Sequence, residues 1–326
     1  MPLTEFDIIK TIFNQQALVR EDVVLGIGDD AAVLSVPEGR QLVIAMDTLV
    51  AGVHFPLETR ADDLAYKALA VNLSDLAAMG AEPAWFTLAV TLPESNETWL
   101  RSFTKGLFEL ANQYNMALVG GDTTQGPLSV TIQVAGYVSH GKAMRRNGAH
   151  AGDDIFVTGT LGDAAAGLDC LAVNHKQETH LQLIGRLNRP VPRVETGLMI
   201  SEWASACIDV SDGLFADLDH ILEQSGVGAT LYTHQFPIST ALKSAFPHTE
   251  QQHRFVLTGG DDYELCFTLP PAQREKAMAD LSQHACPITR IGQIEAQTGI
   301  RLLDERNNPV VLSEAHGFEH FSEKQS

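Results

Sequence analysis

Aspartates beside glycine, serine or threonine recur where short apolar runs end, and they are the residues of this sequence best suited to chemistry. The four cases are Gly28-Asp29-Asp30, Met46-Asp47-Thr48, Gly121-Asp122-Thr123-Thr124 and Asp209-Val210-Ser211-Asp212-Gly213. Strand ends present side chains from a rigid sheet, and carboxylate oxygens are the ligands that Mg²⁺ prefers. Taken singly, each case also fits a plain turn, because an aspartate beside glycine caps the backbone.

A fifth acid, Asp75, lies among Leu73, Leu76 and Ala77 in a segment with helical periodicity. A carboxylate on an apolar helix face is costly unless it is paired or bound to a metal. Asn72 precedes Asp75 by three residues and therefore shares its face of the helix. Together, the five sites predict a cluster that binds several Mg²⁺ ions.

The charge balance supports this prediction. The chain has 22 Lys+Arg against 41 Asp+Glu, a formal net charge of -19. ATP and a phosphate-ester substrate together carry roughly six negative charges, so an acidic site can hold them only through cations. The surplus of acids also serves solubility, and it argues against nucleic acid or an anionic membrane as a partner, because like charges repel.

Two familiar nucleotide-binding signatures almost match, and the sequence argues against both. Residues 136–143 resemble a Walker A loop, but Ala143 lacks the hydroxyl that binds Mg²⁺. Residues 26–31 resemble a dinucleotide fingerprint, but Asp29 and Asp30 within the turn would repel a pyrophosphate. We therefore expect neither a standard P-loop nor a Rossmann site.

Two further side chains are candidates for ligand contacts. Arg146 stands in a polar stretch, where a guanidinium could clamp ATP phosphates and where it equally fits a solvated linker. His54 follows Asp47 closely and could contact a substrate, although a histidine at the exit of a strand also fits a structural role. No serine or cysteine stands in a nucleophile elbow, which indicates a reaction without a covalent intermediate.

Helical and strand-like periodicities predict the elements that must position these residues. The predicted strands are 23–27, 41–46, 87–92, 117–119, 129–138, 155–158, 206–210, 255–257 and 263–269; the predicted helices are 4–16, 60–79, 97–115 and 214–224, with an Ala-rich helix after Gly162. Strands and helices mix in both halves, which predicts an α/β or α+β fold with sheet cores. The polar stretch 140–154 separates two predicted domains, 1–144 and 145–326.

Composition predicts a cytoplasmic protein. The start MPLTEFDIIKTIF has no basic region ahead of an apolar one, which argues against a secretory signal. No apolar run approaches the ~20 residues that a membrane span needs. The four cysteines, Cys170, Cys207, Cys266 and Cys286, have no CxxC spacing, which is typical of a reducing compartment.

Six strings resemble the thiamine-monophosphate kinase family, whose superfamily includes aminoimidazole ribonucleotide synthetase and selenophosphate synthetase. They are GIGDDAAVL (26–34), MDTLVAGVHF (46–55), YKALAVNLSDLAAMGAEP (66–83), VGGDTT (119–124), DVSDGL (209–214) and TGGDDYEL (258–265). The resemblance implies a two-domain fold of the aminoimidazole ribonucleotide synthetase type. Its N-terminal domain would bind ATP and Mg²⁺ and pair its sheet with that of a second copy in a homodimer, and its C-terminal α/β domain would complete the active site.

The resemblance also implies roles for particular residues. Mg²⁺ ligands correspond to Asp30, Ala45, Met46, Asp47, Asp75, Asp122, Asp209 and Asp212, ATP contacts to Gly121, Asp122, Arg146 and Ser211, contacts to thiamine monophosphate to His54, Asp261 and Phe318, and catalytic residues to Asp122 and Asp212. Four positions depart from the family's common residues. Ala45 and Met46 replace Ser or Thr, which leaves only main-chain oxygens for a metal, while Asp261 replaces Glu and Phe318 replaces Trp.

The implied activity is transfer of the γ-phosphoryl group of ATP to thiamine monophosphate, which gives thiamine diphosphate. An ionised phosphate acceptor needs little help from a base, so catalysis would rest on positioning and charge neutralisation. Two alternatives are another ATP-dependent enzyme of the superfamily with a different acceptor, and a noncatalytic protein that binds metal or nucleotide. Intact Asp47, Asp75, Asp122 and Asp212 argue against the second.

Overall fold

The computed structural model describes residues 4–14, 18–173, 176–282 and 285–310. The chain divides into two compact units, Met1–Ala143 and Met144–Ser326, which we call unit 1 and unit 2. Each unit contains a β-sheet with helices packed against it, so the predicted mixed α/β class is confirmed. Within the ranges described, no helix has the length and apolar character that a membrane crossing requires.

Unit 1 is built around a four-stranded sheet. Its elements in chain order are helix α1 (Glu5–Ile8) with a π-helical turn (Ile9–Phe13), strands β1 (Val23–Leu25), β2 (Val33–Leu34) and β3 (Arg40–Val50), helix α2 (Ala61–Ala78), strand β4 (Glu82–Leu92), helix α3 (Glu97–Gln113), and strands β5 (Ala117–Gln125) and β6 (Ser129–Ser139). The order in the sheet is β3-β6-β4-β5; β4 and β5 pair in parallel, and the other pairs are antiparallel. β1 and β2 form a separate antiparallel pair.

One face of this sheet is covered by helices. Alternate residues of β6, namely Val130, Ile132 and Val134, are buried on the face against which α2 packs, as expected for a strand with one covered side. α2 and α3 approach each other so closely that a Cβ at Gly106 would overlap the main-chain oxygen of Asp62. Only a residue without a side chain allows this contact.

The opposite face of the sheet is exposed over much of its area. The side chains of Leu42, Ile44 and Met46 on β3 are 40%, 54% and 63% exposed. At one end of this face, β1 and β2 pack against Trp85 and Tyr137. We call the uncovered part, which carries Leu42, Ile44 and Met46, the open face.

Strands β3 and β5 of unit 1 run further than the sequence predicts. Asp47 lies inside β3 and Asp122 inside β5, whereas the sequence predicts that both follow the end of a strand. A strand with one exposed side accepts polar residues on that side, so neither Thr48 nor Asp122 marks the end of its strand. Residues 136–143, which resemble a Walker A loop, begin inside β6 as extended chain rather than as a loop that wraps a phosphate.

Unit 2 contains a six-stranded sheet. Its elements are β7 (Asp154–Thr158), α4 (Asp163–Leu171), α5 (Glu178–Asn188), α6 (Val194–Ile200), β8 (Ala206–Val210), α7 (Leu214–Ser225), β9 (Gly228–Tyr232), α8 (Thr240–Ala245), α9 (Thr249–Thr258), β10 (Glu264–Leu269), α10 (Arg274–Leu281), β11 (Ile288–Glu295) and β12 (Gly299–Leu303), with 3-10 turns at Thr233–Gln235 and Pro271–Gln273. The order is β12-β9-β11-β7-β10-β8, and only β9 and β12 pair in parallel within this sheet.

The core of unit 2 joins this sheet to α7 and α9. Leu218 and Ile221 of α7 lie in one buried apolar cluster with Ile208 of β8 and Val157 of β7. The prediction of a strand at 255–257 is wrong, because these residues form the end of α9. A run of three apolar residues fits a buried helical turn as well as a strand.

Candidate active site

A buried asparagine joins α2 to β3. Oδ1 of Asn72 accepts a hydrogen bond from the main-chain N–H of Asp47 at 3.0 Å, and Nδ2 donates to the carbonyl oxygen of Ala68 at 2.9 Å. Asp75 follows Asn72 by three residues on the same face of α2. The contact therefore makes neighbours of the half-buried Asp47 and Asp75, two of the predicted metal ligands.

Asp122 lies well away from Asp47 on the same sheet. Across the strands, the successive register partners of Asp47 are Ile132, Leu88 and Gly121. Three strand spacings of ~4.8 Å separate the two positions by about 14 Å. Asp122 shares its row and face with Thr48, so alternation along β3 places Asp47 on the helix-covered face. The structure does not bring these two carboxylates to one ion within a single copy.

Gly121 keeps β5 close to β4. A Cβ at this position would overlap the carbonyl oxygen of Leu88, so the residue before Asp122 has to lack a side chain. Gly121 and Asp122 are both exposed. A bare stretch of main chain can approach a phosphate closely, which fits the predicted contact with ATP.

Asp30 lies in an arm that is anchored at the end of the open face. It is exposed between β1 and β2, which pack beside Tyr137. The arm is held by Asp22, which accepts two hydrogen bonds from Arg20 at 2.9 and 2.7 Å and one from the Tyr137 hydroxyl at 3.1 Å. The Arg20 guanidinium lowers the pKa of Asp22 to about 2. Asp30 is thus on the side of the sheet that carries Asp122.

β3 and the turn after it carry three more of the predicted residues. Ala45 and Met46 precede Asp47 on β3, and the Met46 side chain is on the open face. In the turn, Nδ1 of His54 accepts a hydrogen bond from the N–H of Val50 at 3.0 Å. The neutral imidazole therefore carries its proton on Nε2, and that N–H is a hydrogen-bond donor.

Three loops meet at one edge of the unit 2 sheet. β7 and β8 end there and β10 begins there, because β10 is antiparallel to both. The N–H of Asp261 donates to the carbonyl oxygen of Ser211 at 2.8 Å, and the N–H of Tyr263 donates to that of Val210 at 2.9 Å. A Cβ on Gly260 would overlap the same Ser211 oxygen. The predicted ATP contact Ser211 and the predicted substrate contact Asp261 are therefore adjacent.

Asp209, Asp212 and Asp217 form a group of carboxylates where β8 leads into α7. Asp209 and Asp217 are buried, and Asp212 is partly exposed. Oδ2 of Asp217 accepts the main-chain N–H groups of Ser211 at 2.9 Å and of Asp212 at 3.0 Å. Burial, and after it the charge of Asp209, raises the pKa of Asp217 to about 8.

Asp262 ties the loop before β10 to the start of α4. Its carboxylate is buried and accepts the N–H groups of Gly162 at 2.6 Å and Ala164 at 3.2 Å. Burial raises the pKa of Asp262 to about 8. The neighbouring Asp261 has a φ of 70°, and its Oδ1 accepts a hydrogen bond from the Tyr263 hydroxyl at 3.0 Å.

A buried ion cluster stands behind these loops. Glu264, the first residue of β10, is fully buried and accepts hydrogen bonds from Arg186 at 2.7 Å, from Arg193 at 2.6 and 2.5 Å, and from the Thr158 hydroxyl at 2.7 Å. A Cβ at Gly159 would overlap the Glu264 carboxylate. Removing one partner of a buried ion group costs about 3–5 kcal/mol, so this cluster fixes the end of β7 against the start of β10.

Arg146 has a fixed main chain and an exposed side chain. The N–H of Cys207 on β8 donates to the carbonyl oxygen of Arg145 at 2.9 Å, and the Ser225 hydroxyl donates to that of Arg146 at 3.0 Å. This geometry leaves the guanidinium able to reach a ligand. Phe318 lies outside the residues that the structure describes.

Sequence reasoning missed Asp217, Asp262 and Glu264. An acid in the first turn of a helix signals that it binds main-chain N–H groups, and Asp217 carries that signal. Glu264 carries none, because its two arginines are 78 and 71 residues away along the chain.

The donor atoms of these positions fit Mg²⁺. In the described part of the chain, no group of three or more His, Cys, Asp or Glu is arranged to hold a metal ion. The pairs Asp47 with Asp75 and Asp209 with Asp212 offer oxygen donors. Mg²⁺ is commonly held by one or two carboxylates together with phosphate oxygens and water. The pairs therefore fit an ion that is bound together with a nucleotide.

Comparison with known proteins gives matches over nearly the whole chain. The family model of AIR synthase related protein, N-terminal domain, matches residues 28–138, and that of its C-terminal domain matches residues 150–305. Thiamine-monophosphate kinase of Escherichia coli (strain K12) is 48% identical over an alignment of 326 positions that covers 99% of each chain.

Two solved structures resemble the chain over most of its length. Thiamine-monophosphate kinase from Stenotrophomonas maltophilia K279a has a TM-score of 0.85 and 48% identity, covering 93% of this chain and 97% of that one. AaThiL complexed with AMPPCP and TMP has a TM-score of 0.77 and 30% identity, covering 98% of this chain and 99% of that one.

Asp262→Asn should make the free energy of unfolding less dependent on pH. Between pH of about 4 and 8 the folded chain keeps a proton on Asp262 that the unfolded chain releases, so stability falls as pH rises, by at most about 1.4 kcal/mol per pH unit for this group. The amide cannot take up this proton, and it also loses a hydrogen bond to α4 worth about 1 kcal/mol. Urea unfolding at pH 5, 6, 7 and 8 should show a variant whose stability changes less with pH, so that its stability relative to the wild type improves as pH rises. Asp169→Asn, at an exposed position of α4, is the control and should keep the wild-type slope; an unchanged slope in Asp262→Asn would contradict the raised pKa.

Proposed function

The chain belongs to the thiamine-monophosphate kinase family, and we propose that it transfers the γ-phosphoryl group of ATP to thiamine monophosphate, giving thiamine diphosphate and ADP. The observation that carries this conclusion is the match over 98% of the chain to AaThiL complexed with AMPPCP and TMP, at 30% identity. AMPPCP is an analogue of ATP with an uncleavable terminal bridge, so the pair corresponds to the two substrates of the reaction. The local geometry supports particular roles for this chain's residues.

The residues that would hold Mg²⁺ fall into three groups. The first is Asp47 and Asp75 with the main-chain oxygens of Ala45 and Met46. The second is Asp30 and Asp122, and the third is Asp209 and Asp212. Their oxygen donors and the net charge of -19 support this proposal. When bound, Mg²⁺ would neutralise phosphate charge and polarise the transferring group. Asn72 fixes the main chain of Asp47 relative to the helix of Asp75.

Nucleotide binding falls to Gly121, Asp122, Arg146 and Ser211. Gly121 packs its main chain against Leu88 of β4, which fixes the position of the exposed main chain beside Asp122. Arg146 extends an exposed guanidinium from a fixed main chain, which suits a bidentate contact with phosphate. Asp217 holds the N–H of Ser211 and Asp261 donates to its carbonyl oxygen, so the main chain of Ser211 is fixed and its hydroxyl can face a ligand.

Thiamine monophosphate would contact His54, Asp261 and Phe318. The N–H of Val50 donates to Nδ1 of His54, which fixes the orientation of the imidazole that would contact the substrate. Asp261 is held in place by Tyr263, and its negative charge attracts the cationic thiazolium ring. Phe318 would offer an aromatic face for stacking.

Direct in-line transfer is the mechanism that these residues support. The attacking atom is a phosphate oxygen of thiamine monophosphate, which is already ionised and needs no base to remove a proton. The proposed catalytic residues Asp122 and Asp212 act by charge and positioning, since a carboxylate that shares its lone pairs with a cation is a poor nucleophile. No phosphoenzyme is part of this mechanism.

A homodimer in the cytoplasm is the proposed state of the protein. The open face supports pairing between copies, because three large apolar side chains of β3 are 40–63% exposed there. The buried free thiols Cys170, Cys207 and Cys266 support a reducing compartment.

Ile44→Arg should convert the dimer to a monomer. A guanidinium in the middle of the open face would have to be desolvated on pairing, which opposes association. Sedimentation equilibrium should give about twice the chain mass of 35.4 kDa for the wild type and one chain mass for the variant. Leu181→Arg, at an exposed position of α5, is the control and should leave the mass unchanged; a monomeric wild type would rule out the dimer.

The acceptor can be tested by measuring ADP release. Thiamine monophosphate with ATP and Mg²⁺ should give ADP and thiamine diphosphate in equal amounts, and omission of Mg²⁺ should reduce the rate at least about a hundredfold. Free thiamine should be a very poor acceptor, because its neutral hydroxyl requires a base. Robust conversion of thiamine, or ADP release that does not depend on thiamine monophosphate, would contradict the proposed function.

Asp75→Asn should abolish turnover and leave the fold largely intact. The amide keeps the size of the side chain and removes the charge that attracts a cation, so a loss in kcat/KM of at least about a hundredfold is expected. Steady-state kinetics at several Mg²⁺ concentrations, with thermal unfolding as a check on the fold, measures the effect. Asp63→Asn on the same helix, where Asp63 lies 3.7 Å from Arg60, is the matched control. Near-normal activity of Asp75→Asn at modest Mg²⁺ would show that Asp75 is not a ligand.

A further inference from the structure

Helix α7 contacts a segment with a proposed role in nucleotide binding at each of its ends. In its first turn, Oδ2 of Asp217 accepts the N–H groups of Ser211 at 2.9 Å and Asp212 at 3.0 Å. Asp217 is only 3% exposed, so these hydrogen bonds form away from water. They fix the direction of the main chain at both proposed ligand-binding residues.

The other end of α7 holds the segment that carries Arg146. The hydroxyl of Ser225 donates to the carbonyl oxygen of Arg146 at 3.0 Å and accepts the N–H of Ala149 at 3.2 Å. Between these two residues, a Cβ at Gly148 would overlap the carbonyl oxygen of Ser205. The turn is thus pinned on two sides, and the exposed Arg146 side chain starts from a fixed point.

The helix between these contacts is rigid. Leu214, Leu218, Ile221 and Leu222 are at most 2% exposed in the apolar core of unit 2. Asp217 and Ser225 are eight residues apart, which is about 12 Å along a helix axis. A packed helix of this kind keeps the distance between its two contacts constant.

We propose that Asp217 and Ser225 are positioning residues, which use α7 as a spacer to set the separation between the Ser211–Asp212 turn and Arg146. Neither residue is proposed to touch a substrate. The inference rests on the proposed function, because it takes these two segments as parts of one nucleotide-binding site. The ligand that this arrangement would position is a nucleoside triphosphate with its divalent cation, and α7 would fix where it is bound.

The alternative is that both residues only stabilise the fold. A buried carboxylate beside Asp209 and Asp212 is an unfavourable choice for stability alone, because burial and like charges both oppose it. An apolar residue of similar volume would serve the core of unit 2 better. An apolar residue, however, cannot accept hydrogen bonds from the N–H groups of Ser211 and Asp212.

Three variants test the proposal: Asp217→Asn, which keeps an acceptor oxygen, Asp217→Leu, which has none, and Ser225→Ala. Binding of AMPPCP in the presence of Mg²⁺ is measured by calorimetry, and amide hydrogen exchange is followed for residues 206–213. Asp217→Leu should bind AMPPCP at least about tenfold more weakly, and its amides at 211 and 212 should exchange at least about tenfold faster. Asp217→Asn should stay within about threefold of the wild type in both measurements.

Ser225→Ala should weaken AMPPCP binding about threefold to tenfold and raise KM for ATP more than it lowers kcat. Its matched control is Ser201→Ala. Ser201 also lies at the end of a helix, and its hydroxyl donates to a main-chain oxygen, that of Leu198 at 2.7 Å. The control should bind as the wild type does. If Asp217→Leu does not fold, Ser225→Ala decides the question.

Several results would overturn the proposal. Wild-type affinity in Ser225→Ala removes the role of the C-terminal contact, and equal losses in Asp217→Asn and Asp217→Leu show that charge, not the acceptor geometry, is what matters. Wild-type exchange at 211 and 212 in a folded Asp217→Leu removes the N-terminal contact. AMPPCP binding needs no acceptor, so a wild type that binds it but does not phosphorylate thiamine monophosphate contradicts only the proposed function. A wild type that does not bind AMPPCP contradicts both.

Discussion

Buried carboxylates that accept main-chain hydrogen bonds hold the functional loops of unit 2. Asp217 accepts two N–H groups from the irregular chain before α7, and Asp262 accepts one from the turn before α4 and one from the first turn of that helix. A buried carboxylate is costly unless its oxygens are hydrogen-bonded, and an N–H left unpaired in the interior is costly as well. Each contact pairs the N–H groups and offsets part of the cost of burying the acid, so the segments before α7 and at the start of α4 keep one conformation.

Glu264 adds the stiffest part of this arrangement. Its carboxylate accepts hydrogen bonds from Arg186, Arg193 and the hydroxyl of Thr158, at the edge where β7 ends and β10 begins. Replacing any one of these groups would leave a charge buried without its full set of partners. The loops that carry Ser211, Asp212 and Asp261 are therefore built on a base that resists displacement.

Unit 1 positions its residues by a different means, namely strand register. Asp47 and Asp122 lie in neighbouring rows on opposite faces of one sheet, about 14 Å apart, and one-residue slips would move each to the other face. Asn72 adds a single buried tie between α2 and β3. Within one copy, the proposed metal ligands Asp47 and Asp122 therefore lie too far apart to share one ion.

The sequence predicts local features of this molecule well and long-range features poorly. β8 has the predicted bounds because an apolar run there ends at Ser211, Asp212 and Gly213. The bounds of β3 and β5 differ from the prediction because both strands continue through polar residues, and the end of α9 differs because three apolar residues suit a helix as well as the predicted strand. The separation of Asp47 from Asp122 follows from the order β3-β6-β4-β5, which depends on pairing between strands distant in the chain. No spacing within a motif contains that information.

The contact at Gly106 sets a limit on how this sequence can vary over evolutionary time. Any other residue there places a Cβ against the main chain of Asp62, so α2 and α3 would have to move apart. α2 carries Asp75, but Gly106 itself is on α3 and is buried. In a genetic screen, cells that carry a substitution at Gly106 would therefore contain too little folded protein. They would not contain a normal amount of an inactive enzyme.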